Sequence, residues 1–143
     1  MPELIICRGV PGSGKSTYAQ AWVKAGQNRV RINRDDLRKM LFDKFWGLDE
    51  DFVTVVADSI FYDAVMEKKS IIIDNTNIKP ADFRGFLDVA RANGYDIFIK
   101  LFDVPLHVAQ ERNASRSRQV PPEVIEKMFN KLMEIGPLDV SDL

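Results

Sequence analysis

Residues 9–16, Gly9-Val10-Pro11-Gly12-Ser13-Gly14-Lys15-Ser16, fit G-x-x-x-x-G-K-[ST] without a gap. A loop of this composition works only between a strand and a helix. The strand delivers the chain to the carboxyl edge of a sheet, and the glycines let successive backbone N–H groups turn inward. The helix N-terminus then adds partial positive charge. The flanks comply: Leu4-Ile5-Ile6-Cys7 reads as a buried strand. From Lys15 to about Ala25, Tyr18, Trp22 and Val23 share one helical face before a stop at Gly26. Such a cradle suits a nucleoside triphosphate, ATP or another NTP. Gly12, Ser13, Gly14, Lys15, Ser16 and Thr17 supply the phosphate contacts, with Lys15 reaching the β- and γ-phosphates and the Ser16 hydroxyl ligating Mg²⁺.

The rest of the chain alternates in the same style. Val30-Arg31-Ile32 is a short strand, and Asp35 or Asp36 then caps a helix to about Phe42. Phe45 to Leu48 reads as a loop whose two aromatics pack, and Asp49 or Asp51 opens a longer helix. Ser70-Ile71-Ile72-Ile73 is a buried strand ending at Asp74. A helix with Pro80 in its first turn runs to Asn93-Gly94, and 97–102 is the fourth strand. Helices at about 105–112 and 121–135 flank an arginine-rich link, and 137–143 form a short acidic tail. The order predicts an α/β fold of three layers: a mostly parallel four-stranded sheet, helices on both faces and a helical lid. The 143 residues suit a single domain spanning 1–143, with its lid at about 112–121.

Composition excludes several classes. Cys7 and His107 are the only cysteine and histidine, which rules out an internal disulfide and any mechanism needing two histidines. Both are expected to be structural. No apolar run approaches a membrane span, and the N-terminus lacks the marks of a signal peptide, so the expected location is the cytoplasm, or the host cytoplasm for a phage-encoded chain. A net charge of −1 argues against coating long nucleic acid by bulk charge, but leaves room for a local grip by Arg34, Arg38 and Arg116.

No N-K-x-D segment is present to read a guanine base. Asp82-Phe83-Arg84-Gly85 falls inside an expected helix, and Asp49-Glu50-Asp51-Phe52-Val53 follows no strand, which disqualifies it as a phosphatase motif. A small phosphotransferase remains, and it needs an acceptor site, a base and a cationic lid. Groups at the carboxyl ends of parallel strands converge on the ligand crevice. There, Asp35 and Arg38 share a helix face, so a carboxylate and a guanidinium can meet one substrate end. Asp35 could take the proton of an attacking hydroxyl, although an Asp opening a helix is also an ordinary cap. Asp74, at the end of its strand, is placed to help hold Mg²⁺ through water, and Thr76 and Asn77 either extend that edge toward the acceptor or cap the next helix. Arg112, Arg116 and Arg118 bracket the link, where a lid arginine would cover the γ-phosphate.

Together these segments resemble the kinase domain of phage-type polynucleotide 5′-kinases, within the AAA-like small P-loop kinases. The likeness runs from Ile5 to about Gly136. It rests on residues 9–17, on Ile32-Asn33-Arg34-Asp35-Asp36 with Arg38, on Asp74-x-Thr76-Asn77, on Phe102-Asp103-Val104-Pro105, on Arg112-Asn113 with Arg116, and on Val120-Pro121. The resemblance implies transfer of the ATP γ-phosphate to the 5′-hydroxyl of DNA or RNA. It makes Asp35 the general base, sets Arg38 on the phosphate 3′ of the acceptor nucleoside and Arg116 on the donor phosphates, and leaves Lys15 and Ser16 to the nucleotide and Mg²⁺. In the best-known phage member the acidic residue directly precedes the Thr, where this chain has Asn75. Asp74 lies one position earlier, as in the broader D-x-T-N kinases. The phage enzymes also carry a 3′-phosphatase domain with no counterpart in these residues, so a separate phosphatase or ligase is an expected partner. A kinase acting on a small-molecule, nucleoside or modified-base hydroxyl is the alternative on the same scaffold, and a nucleotide-dependent binding module is a third.

Overall fold

A computed structural model describes residues 1–46 and 49–143. Its elements run β1 (Glu3–Arg8), α1 (Lys15–Lys24), β2 (Arg29–Ile32), α2 (Arg34–Phe42), α3 (Glu50–Met66), β3 (Ser70–Ile73), α4 (Arg84–Ala92), β4 (Asp96–Leu101), α5 (Leu106–Ala114) and α6 (Pro122–Ile135). The sheet order is β2-β3-β1-β4, with every pair parallel. The expected α/β architecture is therefore present.

Alternation along the strands divides the core. Leu4 and Ile6 of β1 join Ile71 and Ile73 of β3 against α3 and α4, through Val53, Ala57, Phe61, Leu87 and Ala90. Ile5, Cys7 and Ile72 face the other way, toward Ala19 and Trp22 of α1. A third cluster joins Val10 of the glycine loop to Ala109 of α5 and to Ile125 and Leu132 of α6. The last two helices thus rest on the carboxyl edge of the sheet, above the glycine loop.

Two expectations need correction. The helix expected from Pro80 begins instead as a 3-10 turn, Pro80–Asp82, and α4 starts only at Arg84. The Asp82 carboxylate accepts the Lys79 N–H, and Phe83, at φ −137°, breaks the helical path while its ring is buried in the core. Asp82–Gly85 therefore straddles a junction and follows no strand. The acidic tail packs on the fold: Val140–Asp142 form a 3-10 turn, Leu138 and Leu143 pack on the core, and Arg91 donates to the Val140 and Leu143 carbonyls. Finally, neither Asp35 nor Asp36 caps α2. Asn33 does, its side-chain oxygen accepting the Asp36 N–H at 2.8 Å. In the expected 45–48 loop, Gly47 and Leu48 lie outside the described residues, while Phe45 and Trp46 pack against Arg118. His107 is exposed at the start of α5, and Cys7 is buried, with burial pushing its thiol up to about 12.

Candidate active site

A cavity of about 730 Å³ opens at the carboxyl edge of the sheet. Gly12 through Thr17 line it, as do Arg34, Asp35, Arg38, Asp74, Thr76, Arg112, Arg116 and Arg118. The topology thus gathers the residues singled out for nucleotide, acceptor or metal around one space, with Asn77 the exception.

The glycine loop is fixed from below and above. The Gly9 N–H donates to the Thr76 carbonyl at 3.0 Å, tying the loop to the segment after β3. Gly12 has φ +83°, and a Cβ there would lie 2.3 Å from the Ala109 carbonyl oxygen of α5, so glycine is required on both counts. Gly14, at φ +101°, is the N-cap of α1. Lys15 folds back into the loop and donates to the Val10 carbonyl at 2.9 Å, with the Ser13 hydroxyl at 3.4 Å.

Burial lowers the Lys15 ammonium to about 8, even though Asp74 pulls the other way. A triphosphate favours the charged ammonium, so binding above that value must draw in a proton. Below pH 8 the ammonium is already protonated and the uptake vanishes. Calorimetry in buffers of different ionisation enthalpy should show uptake approaching one proton per nucleotide near pH 9 and little at pH 7, with Lys15→Met losing the difference.

Asp74 is buried at the end of β3. One of its oxygens accepts from Asn33 Nδ2 at 2.7 Å and the other from Arg31 Nε at 2.8 Å. The Arg31 guanidinium also pairs with Asp36 and comes within 3.4 Å of Ser16 Oγ. Among the described residues no group of three acidic, His or Cys side chains forms a closed metal cage. Ser16 and Asp74 are the residues here that could hold a Mg²⁺ ion beside a bound nucleotide.

Asp35 is free of capping duty and turns its carboxylate into the cavity. Arg38 donates to Oδ1 at 2.7 Å and Arg118 to Oδ2 at 2.9 Å. Arg38 also grips Glu50, its Nε 2.9 Å from Oε2 and its terminal nitrogen on Oε1, which holds the Glu50 carboxyl below its ordinary range. Arg34 is set by its backbone N–H, which donates to Asn75 Oδ1, and lies near Glu50 as well. Asn77, buried at φ +47°, donates to the Cys7 carbonyl and so ties the loop after β3 to β1; it does not line the cavity.

The arginine-rich link does not extend α5, which stops at Ala114, so Arg112 and Arg116 do not share one helix face. Asn113 organises it instead. Its amide donates to the Val120 carbonyl at 2.7 Å and accepts the Val120 N–H at 2.9 Å, closing the link into a loop. Arg116 donates to Asn113 Oδ1, and burial lowers the affinity of its guanidinium for the proton. Among the described residues, Nε of Arg116 and Nε of Arg118 are buried with no partner.

Sequence reasoning missed the contributions of Arg31, Asn33, Glu50 and Asn113 to this arrangement. An arginine inside an apolar strand was the one visible signal for Arg31. The others depend on contacts made across the fold.

A family model described as an AAA domain matches residues 4–135. The chain belongs to that family. It is 29% identical to a protein of Autographa californica nuclear polyhedrosis virus named as a bifunctional polynucleotide kinase/RNA ligase, over 94% of this chain and 21% of that protein. It is 30% identical to the L-seryl-tRNA(Sec) kinase of Methanococcus maripaludis, over 98% of this chain and 56% of the relative. The chain therefore spans about a fifth and just over half of these curated relatives. A solved Pnkp1/Rnl/Hen1 RNA repair complex contains a similar fold, with TM-score 0.82 and 29% identity, covering 93% of this chain and 44% of the other. This AAA-domain fold sets its glycine loop and Asp35 around one cavity. Among the described residues, no helix of the AAA-domain chain is long and apolar enough to cross a membrane.

Proposed function

We propose that residues 1–143 form a P-loop kinase domain that transfers the γ-phosphoryl group of ATP to the 5′-hydroxyl end of DNA or RNA. The observation that carries this reading is Asp35: released from capping by Asn33, its carboxylate faces the cavity that the glycine loop also lines. The names of the viral relative and of the RNA repair complex support a polynucleotide acceptor.

Each residue then has a task. Lys15, Gly12, Ser13, Gly14, Ser16 and Thr17 hold the phosphates, and Lys15 neutralises charge near the transferred group. Asp35 accepts the proton of the 5′-hydroxyl as that oxygen bonds to the γ-phosphorus and the bond to the β-phosphate oxygen breaks, leaving ADP. Arg116, in the lid at about 112–121, spends its free Nε–H on the donor phosphates. Arg34, Arg38 and Thr76 line the acceptor side. Mg²⁺, when bound at Ser16 and water-linked to Asp74, neutralises phosphate charge. A separate phosphatase or ligase is the expected partner, in keeping with the ligase in the viral relative's name.

A second reading has its own support. Arg38 is engaged by both Asp35 and Glu50, and the seryl-tRNA kinase likeness offers an acceptor hydroxyl that is not a 5′ end. A competition assay separates the two. γ-Labelled ATP is offered to a 5′-hydroxyl oligonucleotide, a nucleoside 3′-monophosphate, a plain nucleoside, a seryl-tRNA and a panel of sugar alcohols. Label goes mainly to the first two and weakly to the plain nucleoside under the proposed reading, and to the seryl-tRNA or sugars under the second. In the first case Arg38→Ala lowers kcat/KM at least about tenfold more for the 3′-monophosphate than for the nucleoside. Equal losses on both would remove Arg38 from phosphate binding.

A further inference from the structure

One wall of the cavity has no task in this account. Phe45 and Trp46, just beyond α2, line the same space as Asp35 and Arg38. Neither belongs to the hydrophobic clusters described above, and Trp46 is 58% exposed. The two rings meet edge to face with centroids 6.1 Å apart. The Arg118 guanidinium lies over both, its carbon 4.9 Å from the Phe45 centroid and 5.7 Å from that of Trp46. The same guanidinium donates to Asp35. One cation therefore links the aromatic pair to the proposed proton acceptor, while its Nε–H is buried and unpartnered among the described residues.

We propose that Trp46, with Phe45 and Arg118, is the shelf on which the acceptor's terminal nucleobase stacks. The inference rests on the polynucleotide reading above and assigns its specificity. In a nucleotide the base and the 5′-hydroxyl are carried on the same sugar, so a hydroxyl set at Asp35 brings its own base to the neighbouring wall. Every base offers a π face to an aromatic ring or a guanidinium. The shelf therefore selects for the presence of a base and tolerates any sequence, and it disfavours simple alcohols and sugars.

Trp46 provides a readout that does not depend on turnover. Trp22, the only other tryptophan, packs against Arg29 and the Ile5, Cys7, Ala19 and Ile72 cluster on the α1 side of the sheet, so Trp22→Phe leaves Trp46 as the sole reporter. A nucleoside 3′-monophosphate should quench Trp46 fluorescence on titration, and its abasic analogue, dideoxyribose 3-phosphate, should not. In kinetics, Trp46→Ala should raise KM about tenfold for an oligonucleotide with a normal 5′ nucleotide, the size of one lost stack. It should leave KM unchanged for an abasic 5′ end and kcat within about twofold, and Trp46→Phe should restore most of the loss.

Equal quenching by the abasic compound, calorimetric binding of the nucleoside 3′-monophosphate without quenching, no binding of it at all, or quenching by ATP alone would each overturn the shelf. The two claims fail separately. Quenching without phosphoryl transfer keeps the shelf and removes the kinase reading. Transfer with the same KM for normal and abasic ends keeps the kinase and removes the shelf.

Discussion

Asp35→Asn should abolish phosphoryl transfer, by at least about a hundredfold in kcat, while ATP affinity stays within about twofold. The size of the effect follows from the lost proton acceptor. An amide has nearly the shape of the carboxylate but cannot take the proton of an attacking hydroxyl. The selectivity follows from the geometry, since among the described residues the side chain of Asp35 pairs with Arg38 and Arg118 and not with the glycine loop, and Asp35 is not the cap of α2. The variant should therefore melt close to the wild type and bind ATP normally by calorimetry. An Asn33→Ala control should behave in the opposite sense. It removes the true cap and a donor to Asp74, costing about 1 kcal/mol or more of stability. An active Asp35→Asn would place the base elsewhere. An unstable one would return Asp35 to a structural role.

The second large effect is on stability. Arg8 is fully buried at the end of β1, immediately before the glycine loop. Its Nε donates to the Asn77 carbonyl at 3.0 Å, and its two terminal nitrogens reach the carbonyls of Ile78 and Gly136, each at 2.8 Å. One guanidinium thus joins the strand, the segment after β3 and the end of α6, with the Phe83 ring beside it. Burial lowers its affinity for the proton, which measures the cost of holding this charge away from water. Arg8→Met removes the charge but leaves backbone carbonyls that no apolar side chain can satisfy. The expected loss is about 3–5 kcal/mol, or roughly 10–15 °C in Tm. Arg8→Lys should recover little, because an ammonium lacks the forked reach to all three carbonyls. Thermal melts that place Arg8→Met within about 1 kcal/mol of wild type would show that these carbonyls find other partners.

Arg8 also marks where the sequence stops being readable. The strand–loop–helix unit at residues 3–24 is local: apolar run, glycines and helical period adjoin, so its form was legible. The parallel sheet followed from alternation, the carboxyl-edge rule set Asp35, Arg38 and Asp74 beside Lys15, and the arginine-rich link pointed to Arg116 as a lid residue. Chain-distant pairing was not legible. That Asn33, and not an aspartate, caps α2 depends on Asp74 being within reach to hold the other end of its amide. That Arg38 is claimed by Glu50 depends on how α3 returns beside α2. The closure of the lid link by Asn113 depends on Val120, seven positions on, folding back to it. The helix expected from Pro80 failed for a related reason. Seating Phe83 in the core outweighed the helical periodicity around it.

The most direct test joins the glycine loop, Asp35 and the 5′ end in one product. The chain is incubated with γ-labelled ATP, Mg²⁺ and a 5′-hydroxyl oligonucleotide, and the oligonucleotide is then digested to 5′-mononucleotides. The account predicts label solely in the 5′-phosphate of the terminal nucleotide, with none from Lys15→Met or Asp35→Asn. An unlabelled oligonucleotide alongside demonstrable ATP binding, or undiminished labelling by Asp35→Asn, would contradict it.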